Sequence, residues 1–323
     1  MFGIPDSAHR AARAGPLFVV LNSASGHKDT EQERQVLAEV FNNAGRAFEF
    51  LQFDNPADIA SVCARAVAQA KENGGVVVAA GGDGTINAVA AAVLHSGCPF
   101  GVLPQGTFNY FGRANGIPQD ARAATTALLG ASIAPVTVGE VNGRVFLVNA
   151  SLGLYPQLLE DREAWKRQFG RSRLVAFASG LATLWRARGQ LRLEIELEGQ
   201  TTALRTPTLF VGNNRLQLAQ VGIQPDHPDA VTRGALTGIA VRAAGSLALF
   251  GLLIRGLLGK LGDADNVDSF TFRQLKVKLR RQGRVKVATD GEVTWMTPPL
   301  VFKVSDTPLL LMVPAPADRA DVA

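Results

Sequence analysis

The sequence predicts two domains: an α/β domain built on a parallel sheet, then a β-rich domain of antiparallel strands. Three observations carry this. Up to about Val145, short apolar runs alternate with stretches of helical periodicity, the pattern of strands buried on both faces beneath covering helices. Beyond that point several segments alternate polar and apolar residues with period 2, the pattern of antiparallel strands with one wet face. And 323 residues is the length of two ordinary domains.

The elements follow in order. Leu17-Phe-Val-Val-Leu21 reads as a short buried strand and is followed by the polar turn Asn22-Ser-Ala-Ser-Gly26. Residues 30–44 carry Val36, Leu37, Val40 and Phe41 at helical spacing. Phe48 to Phe53 is a second strand and the alanine-rich stretch 56–72 a second helix. Val76 to Ala80 is a third strand, Thr85 to His95 a helix, and Pro99 to Leu103 a fourth strand. In the second half, 191–198, 274–280 and 284–288 alternate, and further strands fit at 204–212, 236–242 and 300–312. Helical stretches are expected at 161–188 and 243–261, and the tail from Pro314 as a frayed end.

Composition narrows the class. Hydrophobic residues make up 47% of the chain, too many for a disordered protein. The two cysteines, Cys63 and Cys98, form neither a metal-ligand pattern nor a disulfide framework, which favours a reduced cytoplasmic setting. Residues 1–16 lack the apolar segment of a secretory signal. The longest apolar run, Ala243 to Ile254, is short for a spanning helix and is ended by Arg255, so any membrane contact is expected to be peripheral. The net charge of +5 suits an anionic partner. The basic stretches lack interleaved aromatic stacking residues and no known nucleic-acid motif is present, so nucleic acid is not an expected partner.

The strongest local signal is Gly81-Gly82-Asp83-Gly84-Thr85, with Asn87 two residues on, between a buried strand and a helix. Glycines there permit a sharp turn and close backbone approach, and a helix start presents N–H groups to an anion. Asp83 cannot donate to a phosphate, but it can hold Mg²⁺ beside one. Asn87 stands where a dinucleotide fingerprint would have its third glycine, and no Gly-Lys-Ser/Thr follows as in a Walker loop. Two further polar turns, Asn22 to Gly26 and Pro104-Gln-Gly-Thr-Phe-Asn109, follow strands of the same sheet. Loops at the carboxyl ends of parallel strands share one rim, where ligands bind.

Gly81–Thr85, Gly106-Thr-Phe-Asn109, Asn149-Ala-Ser-Leu-Gly153 and Asp290-Gly291-Glu292, in that order, resemble the diacylglycerol kinase catalytic family, which includes sphingosine and ceramide kinases and bacterial lipid kinases. The similarity runs over about residues 16–313. It implies an N-terminal nucleotide-binding α/β domain (16–145, with the last strand, near 305–313, returning to it). It also implies a C-terminal antiparallel β-sandwich domain for the lipid (146–304), with ATP and Mg²⁺ in the cleft. By matching position, Asn22, Ser23, Ser25 and Gly26 would line the nucleotide. Gly81, Gly82, Asp83, Gly84, Thr85 and Asn87 would hold phosphates and Mg²⁺, with Asp83 as the metal ligand. Gly106, Thr107 and Asn109 would complete the phosphate site. Glu292 would be the general base, with Asp83 the second catalytic carboxylate. Asp-Gly is by itself a common hairpin turn, so the base assignment leans on the phosphate loops.

The chain departs from the family pattern at three places. Tyr110 and Thr137 stand where an Asp is often found, which leaves Asp83 alone of that acidic set. Arg233, before Gly234, replaces an Asp that holds a structural Mg²⁺ in some members, so that metal is expected to be absent.

Basic amphipathic stretches at 162–188 and 247–261, and the seven Lys and Arg of 271–286, suit an anionic membrane surface. The expected protein is peripheral at the inner face of the membrane, and a homodimer is left open. Diacylglycerol is the first acceptor to consider; ceramide or a sphingoid base and phosphatidylglycerol present a similar hydroxyl. Two other readings stay open. One is an enzyme of the NAD-kinase type, which also uses Gly-Gly-Asp-Gly-Thr. The other is a non-catalytic module that binds ATP or lipid.

Overall fold

The computed structural model describes residues 4–23, 27–154, 156, 191–197, 199–213, 234–242, 267–280 and 283–320. The helical stretches expected at 161–188 and 243–261, Ser25, Gly26 and Arg233 lie outside them. The chain forms two compact units, residues 1–138 with 305–323, and residues 139–304.

The first unit runs α1 (Asp6–Ala14), β1 (Leu17–Asn22), α2 (His27–Asn43), β2 (Phe48–Phe53), α3 (Ile59–Asn73), β3 (Val76–Gly81), α4 (Asp83–Val93), β4 (Phe100–Pro104), α5 (Tyr110–Ala114), α6 (Ala121–Leu129) and β5 (Ser132–Val136). The chain's last strand, β18 (Leu309–Val313), completes it. One six-stranded sheet has the order β2-β1-β3-β4-β18-β5. All neighbours are parallel except β5, which pairs antiparallel with β18. Every residue of β3 and β4 is buried. That is why these strands read as unbroken apolar runs: a parallel strand covered on both faces has no wet side to mark. Phe41 of α2, Ile86 of α4 and Phe100 of β4 are fully buried, each contributing roughly 1.5–3 kcal/mol through burial. Arg46 donates to the carbonyls of Ala11, Ala12 and Arg13. Its cation thereby satisfies the acceptors left over at the carboxyl end of α1.

The second unit runs β6 (Gly139–Val141), β7 (Arg144–Phe146), β8 (Asn149–Gly153), β9 (Leu191–Leu197), β10 (Gln200–Thr206), β11 (Thr208–Gly212), β12 (Leu236–Val241), β13 (Val267–Phe272), β14 (Gln274–Leu279), β15 (Val285–Thr289), β16 (Glu292–Met296) and β17 (Leu300–Val304). Two six-stranded sheets form, β10-β9-β14-β17-β6-β7 and β13-β12-β11-β8-β15-β16, antiparallel at each of their resolved pairings. Both feed one core: Leu193, Leu275, Val277 and Phe302 come from the first sheet, and Leu152, Leu209, Leu236 and Val287 from the second. This is the expected antiparallel sandwich. The stretch 204–212, read above as one strand, is two strands in different sheets. Pro207 separates them, having no N–H to continue a ladder. The stretch 300–312 also divides, β17 belonging to one unit and β18 to the other. Lys276 and Lys278 of the basic stretch face Glu196 across the sheet, at 3.7 and 3.9 Å, so part of that charge is compensated by the neighbouring strand.

Candidate active site

In the first unit, β1, β3 and β4 are adjacent and parallel. The register sets Leu21 beside Ala80 and Gly81 beside Pro104, so the loops after all three strands leave from one edge of the sheet. Chain order reverses between β1 and β3, because β2 lies outside β1 while β4 lies beyond β3. Diverging loops at such a reversal open a crevice at the carboxyl ends of the strands. Asn22 ends β1 half-buried, and the Ser23 N–H donates to the Phe53 carbonyl at 3.0 Å.

The glycine loop is tighter than the sequence suggested. The helix begins at Asp83 rather than Thr85, with Gly82 as its cap. None of Gly81, Gly82 and Gly84 has positive φ. The glycines at 81 and 82 are therefore not needed for a left-handed turn. Space is what they provide. A Cβ at Gly81 would lie 2.7 Å from the Thr85 Cβ, and one at Gly106 would lie 2.9 Å from the Gly82 Cα. The β3–α4 and β4–α5 loops thus touch backbone to backbone. No side chain caps α4, and the first N–H groups of a helix have no acceptor inside it, which leaves this end suited to an anion. Thr85 is buried and packs back on Gly81, while Gly84 is exposed and Asn87 half-buried in the first turns of α4.

Asn109 ties the two loops together. It adopts left-handed φ and ψ of 46° and 42°, a conformation Asn tolerates. Its Oδ1 accepts the Gly106 N–H at 3.0 Å, and its Nδ2 donates to the Gly106 carbonyl at 2.7 Å and to Gln119 Oε1 at 2.8 Å. Its own N–H donates to Asp83 Oδ2 at 3.0 Å, and the Gln105 N–H donates to the Gly81 carbonyl at 2.9 Å. Only 2% exposed, Asn109 shapes the loop from within. Thr107 and Phe108 stand outward at its tip, and the Phe108 ring stacks parallel to Tyr110 with centroids 5.8 Å apart.

Among the described residues, Asp83 is the acidic side chain bound into this lattice. Burial pushes its pKa above the ordinary carboxylate value, opposed by the N–H groups of Asn109 and Tyr110. Oδ2 accepts the Asn109 N–H, while Oδ1 is buried with no hydrogen-bond partner. A buried carboxylate oxygen without a donor is costly unless water or a cation serves it. A hard cation such as Mg²⁺ would suit that oxygen, with one protein carboxylate and its other positions left to oxygens of a ligand. Among the described residues no group of three His, Cys, Asp or Glu could hold a metal alone. Tyr110 stacks its ring on Phe108, and its backbone N–H reaches Asp83; Thr137 lies between β5 and β6.

In the second unit, Asp290 and Gly291 form a two-residue turn joining β15 and β16, both with positive φ (46° and 90°), as a tight hairpin requires. Asp290 does more than turn the chain. Its carboxylate accepts the N–H groups of Leu147, Val148 and Asn149 at 2.7, 2.9 and 2.9 Å, and its N–H donates to the Asn149 carbonyl. Asp290→Ala is expected to lower stability by about 3 kcal/mol, since three donors lose a charged acceptor; urea denaturation reads this directly. Asp290→Asn, which keeps an oxygen and tolerates the turn conformation, should recover part of it. Glu292, with its side chain 61% exposed, follows the turn and pairs with Arg144 at 2.7 Å. On the same hairpin Trp295 is 52% exposed, with the Lys286 ammonium 5.2 Å over its ring. No described helix is long and apolar enough to cross a membrane.

The α/β unit thus carries glycine-lined loops on its strand ends, and the antiparallel sandwich carries an Asp-Gly-Glu hairpin. The family model for the diacylglycerol kinase catalytic domain matches residues 16–141. A diacylglycerol kinase of Bacillus subtilis (strain 168) is 30% identical over 234 residues, covering 69% of this chain and 73% of that protein. One from Staphylococcus aureus (strain MRSA252) is 26% identical over 281 residues, covering 83% and 86%. The crystal structure of a diacylglycerol kinase from Bacillus anthracis str. Sterne superposes with a TM-score of 0.65 at 17% identity, covering 94% of this chain and 98% of that one, which supports the fold. The chain belongs to the diacylglycerol kinase family.

Sequence reasoning passed over Arg144, the bonding role of Asp290, and Gln119 behind Asn109. Arg144 sits 148 residues from Glu292, and no local pattern links them. Asp290 was read as part of the motif, but its three N–H partners depend on β15 lying beside β8.

Proposed function

We propose that this protein is an ATP-dependent lipid kinase whose first acceptor is diacylglycerol, giving phosphatidic acid. The observation that carries the reading is the buried, unpartnered Oδ1 of Asp83 beside two interlocked glycine loops. Names carried by the Bacillus subtilis and Staphylococcus aureus relatives support the acceptor. The first unit (with β18) binds ATP: the N–H groups at the start of α4 and the loop at Gly106–Thr107 take the phosphates, and the Asn22–Gly26 loop lines the nucleotide. Asp83 would hold Mg²⁺, which would supply positive charge beside the phosphates. The second unit takes the lipid. Glu292 accepts the proton of the lipid hydroxyl as its oxygen forms the new bond to the γ-phosphorus, while the bond from that phosphorus to the bridging oxygen breaks and ADP leaves. With Tyr110 and Thr137 in place of acids, Asp83 would be the carboxylate left to hold that metal. The protein works at the inner face of the membrane from the cytoplasm. The exposed Trp295 beside Lys286 and the +5 charge support contact with anionic lipid.

ADP release in mixed micelles, each carrying one acceptor, tests the reading. Diacylglycerol should stimulate turnover most. Preference for ceramide, a sphingoid base or phosphatidylglycerol would keep the kinase and change the acceptor, and stimulation by soluble NAD alone would overturn the lipid assignment.

Two glycines separate ligand space from protein packing. A Cβ at Gly82 meets only the Gly106 Cα, at 3.6 Å, an ordinary contact. Gly82→Ala should therefore melt like the parent while weakening ATP binding, measured by calorimetry. A Cβ at Gly106 would lie 2.7 Å from Asn109 Oδ1, so Gly106→Ala should cost about 1–3 kcal/mol of stability through overpacking.

A further inference from the structure

We propose that Arg144 is a positioning residue that holds Glu292 in the orientation its chemistry needs, an inference that rests on the reading of Glu292 as the base. Arg144 opens β7 directly after the Asn142–Gly143 turn, and that turn is anchored. The Asn142 side chain donates to the carbonyls of Thr297 and Pro299, both at 3.2 Å, and accepts the Val301 N–H at 2.8 Å. From this base the guanidinium reaches the β15–β16 hairpin at two points. Nε donates to Thr289 Oγ1 at 2.8 Å and Nη2 to Glu292 Oε2 at 2.7 Å. Thr289 and Glu292 face each other across the hairpin, and Thr289 is only 3% exposed. One end of the fork is therefore fixed on a buried hydroxyl while the other holds the carboxylate.

The arrangement suits orientation better than stability. Ion pairs between exposed side chains stabilise little, and Arg144 and Glu292 are 36% and 61% exposed. The hairpin is held independently by the three N–H groups that Asp290 accepts. Without a partner, an exposed Glu samples several rotamers. Arg144 occupies only Oε2; among the described residues Oε1 has no partner, which leaves it open to a hydroxyl proton. A guanidinium has five N–H donors and no acceptor, so it orients the base without accepting the proton meant for it.

Steady-state kinetics on ATP and micellar diacylglycerol test this with four variants. Arg144→Ala should lower kcat roughly 10- to 100-fold through misplacement of the base. Its KM values should stay within about twofold, the sign of an interaction that matters in the transition state, and its Tm should not change. Arg144→Lys should restore part of kcat, since an ammonium can reach the carboxylate but cannot also span to Thr289. Thr289→Val, which frees the guanidinium but keeps its charge, should fall between. Glu292→Gln should be nearly inactive. Wild-type kcat in Arg144→Ala beside an inactive Glu292→Gln overturns the positioning role and leaves the base in place. A rise in lipid KM at unchanged kcat assigns Arg144 to substrate binding, and a lowered Tm with no rescue by Lys assigns it to folding; either overturns the inference. Full turnover by Glu292→Gln removes the base and the inference together.

Discussion

Asp83→Asn is expected to abolish phosphoryl transfer and, at neutral pH, to raise the melting temperature of the ligand-free protein. The first effect follows from removing the carboxylate that holds charge beside the phosphates; losing such electrostatic stabilisation lowers kcat by about 10³-fold or more. The second follows from burial. Asp83 has a raised pKa in the folded protein, chiefly because its charged form is desolvated. A carboxyl with a raised folded pKa binds more protons folded than unfolded between the two pKa values, so stability falls as pH rises through that window. The penalty is complete above the folded pKa and vanishes below the unfolded one. Asn carries no charge to desolvate. The gap in Tm between Asp83→Asn and the parent should therefore narrow as pH falls toward the ordinary carboxylate range. A variant that loses both activity and stability at pH 7 would point to a structural Asp83 instead. Gain of stability with loss of activity is the mark of a site whose strain serves function.

Glu292→Gln is expected to lower kcat by roughly 10²–10⁴-fold, the share that a general base supplies, while the Kd for ATP stays near that of the parent. The side chain is 61% exposed and its ion pair with Arg144 adds little stability, so folding should be indifferent to the change. Isothermal titration with ATP in the presence of Mg²⁺, set beside turnover, separates the two quantities. An equal loss of binding and turnover would place Glu292 in nucleotide binding and leave the proton without an acceptor.

The sheet of the first unit was legible because a doubly covered parallel strand writes its burial as a continuous apolar run, as Val76–Ala80 does. The glycine loop was legible for the same local reason, lying between such a run and a helix. What it does with its glycines was not. The sequence suggests a sharp turn and close backbone approach to a ligand, whereas the structure uses the missing Cβ atoms at Gly81 and Gly106 for close packing within the protein, a property of two loops rather than one. Strand ends were hardest where the chain changes sheets. Pro207 marked that place in the sequence, but only the pairing of β10 with β9 and of β11 with β8 shows what the break is for. The Arg144–Glu292 pair and the bonds from Asp290 join residues more than a hundred positions apart. Such contacts leave no periodic trace, because their partners are set by strand order and not by neighbours in sequence.

The most direct measurement of the central claim is transfer of label from ATP, labelled at the γ-phosphate, into chloroform-soluble lipid with Mg²⁺ and diacylglycerol micelles, followed for the parent, Asp83→Asn and Glu292→Gln. Label should appear in phosphatidic acid for the parent alone, with Glu292→Gln still binding ATP. Label released only as inorganic phosphate by the parent, or carried into lipid at the parental rate by either variant, would contradict the account.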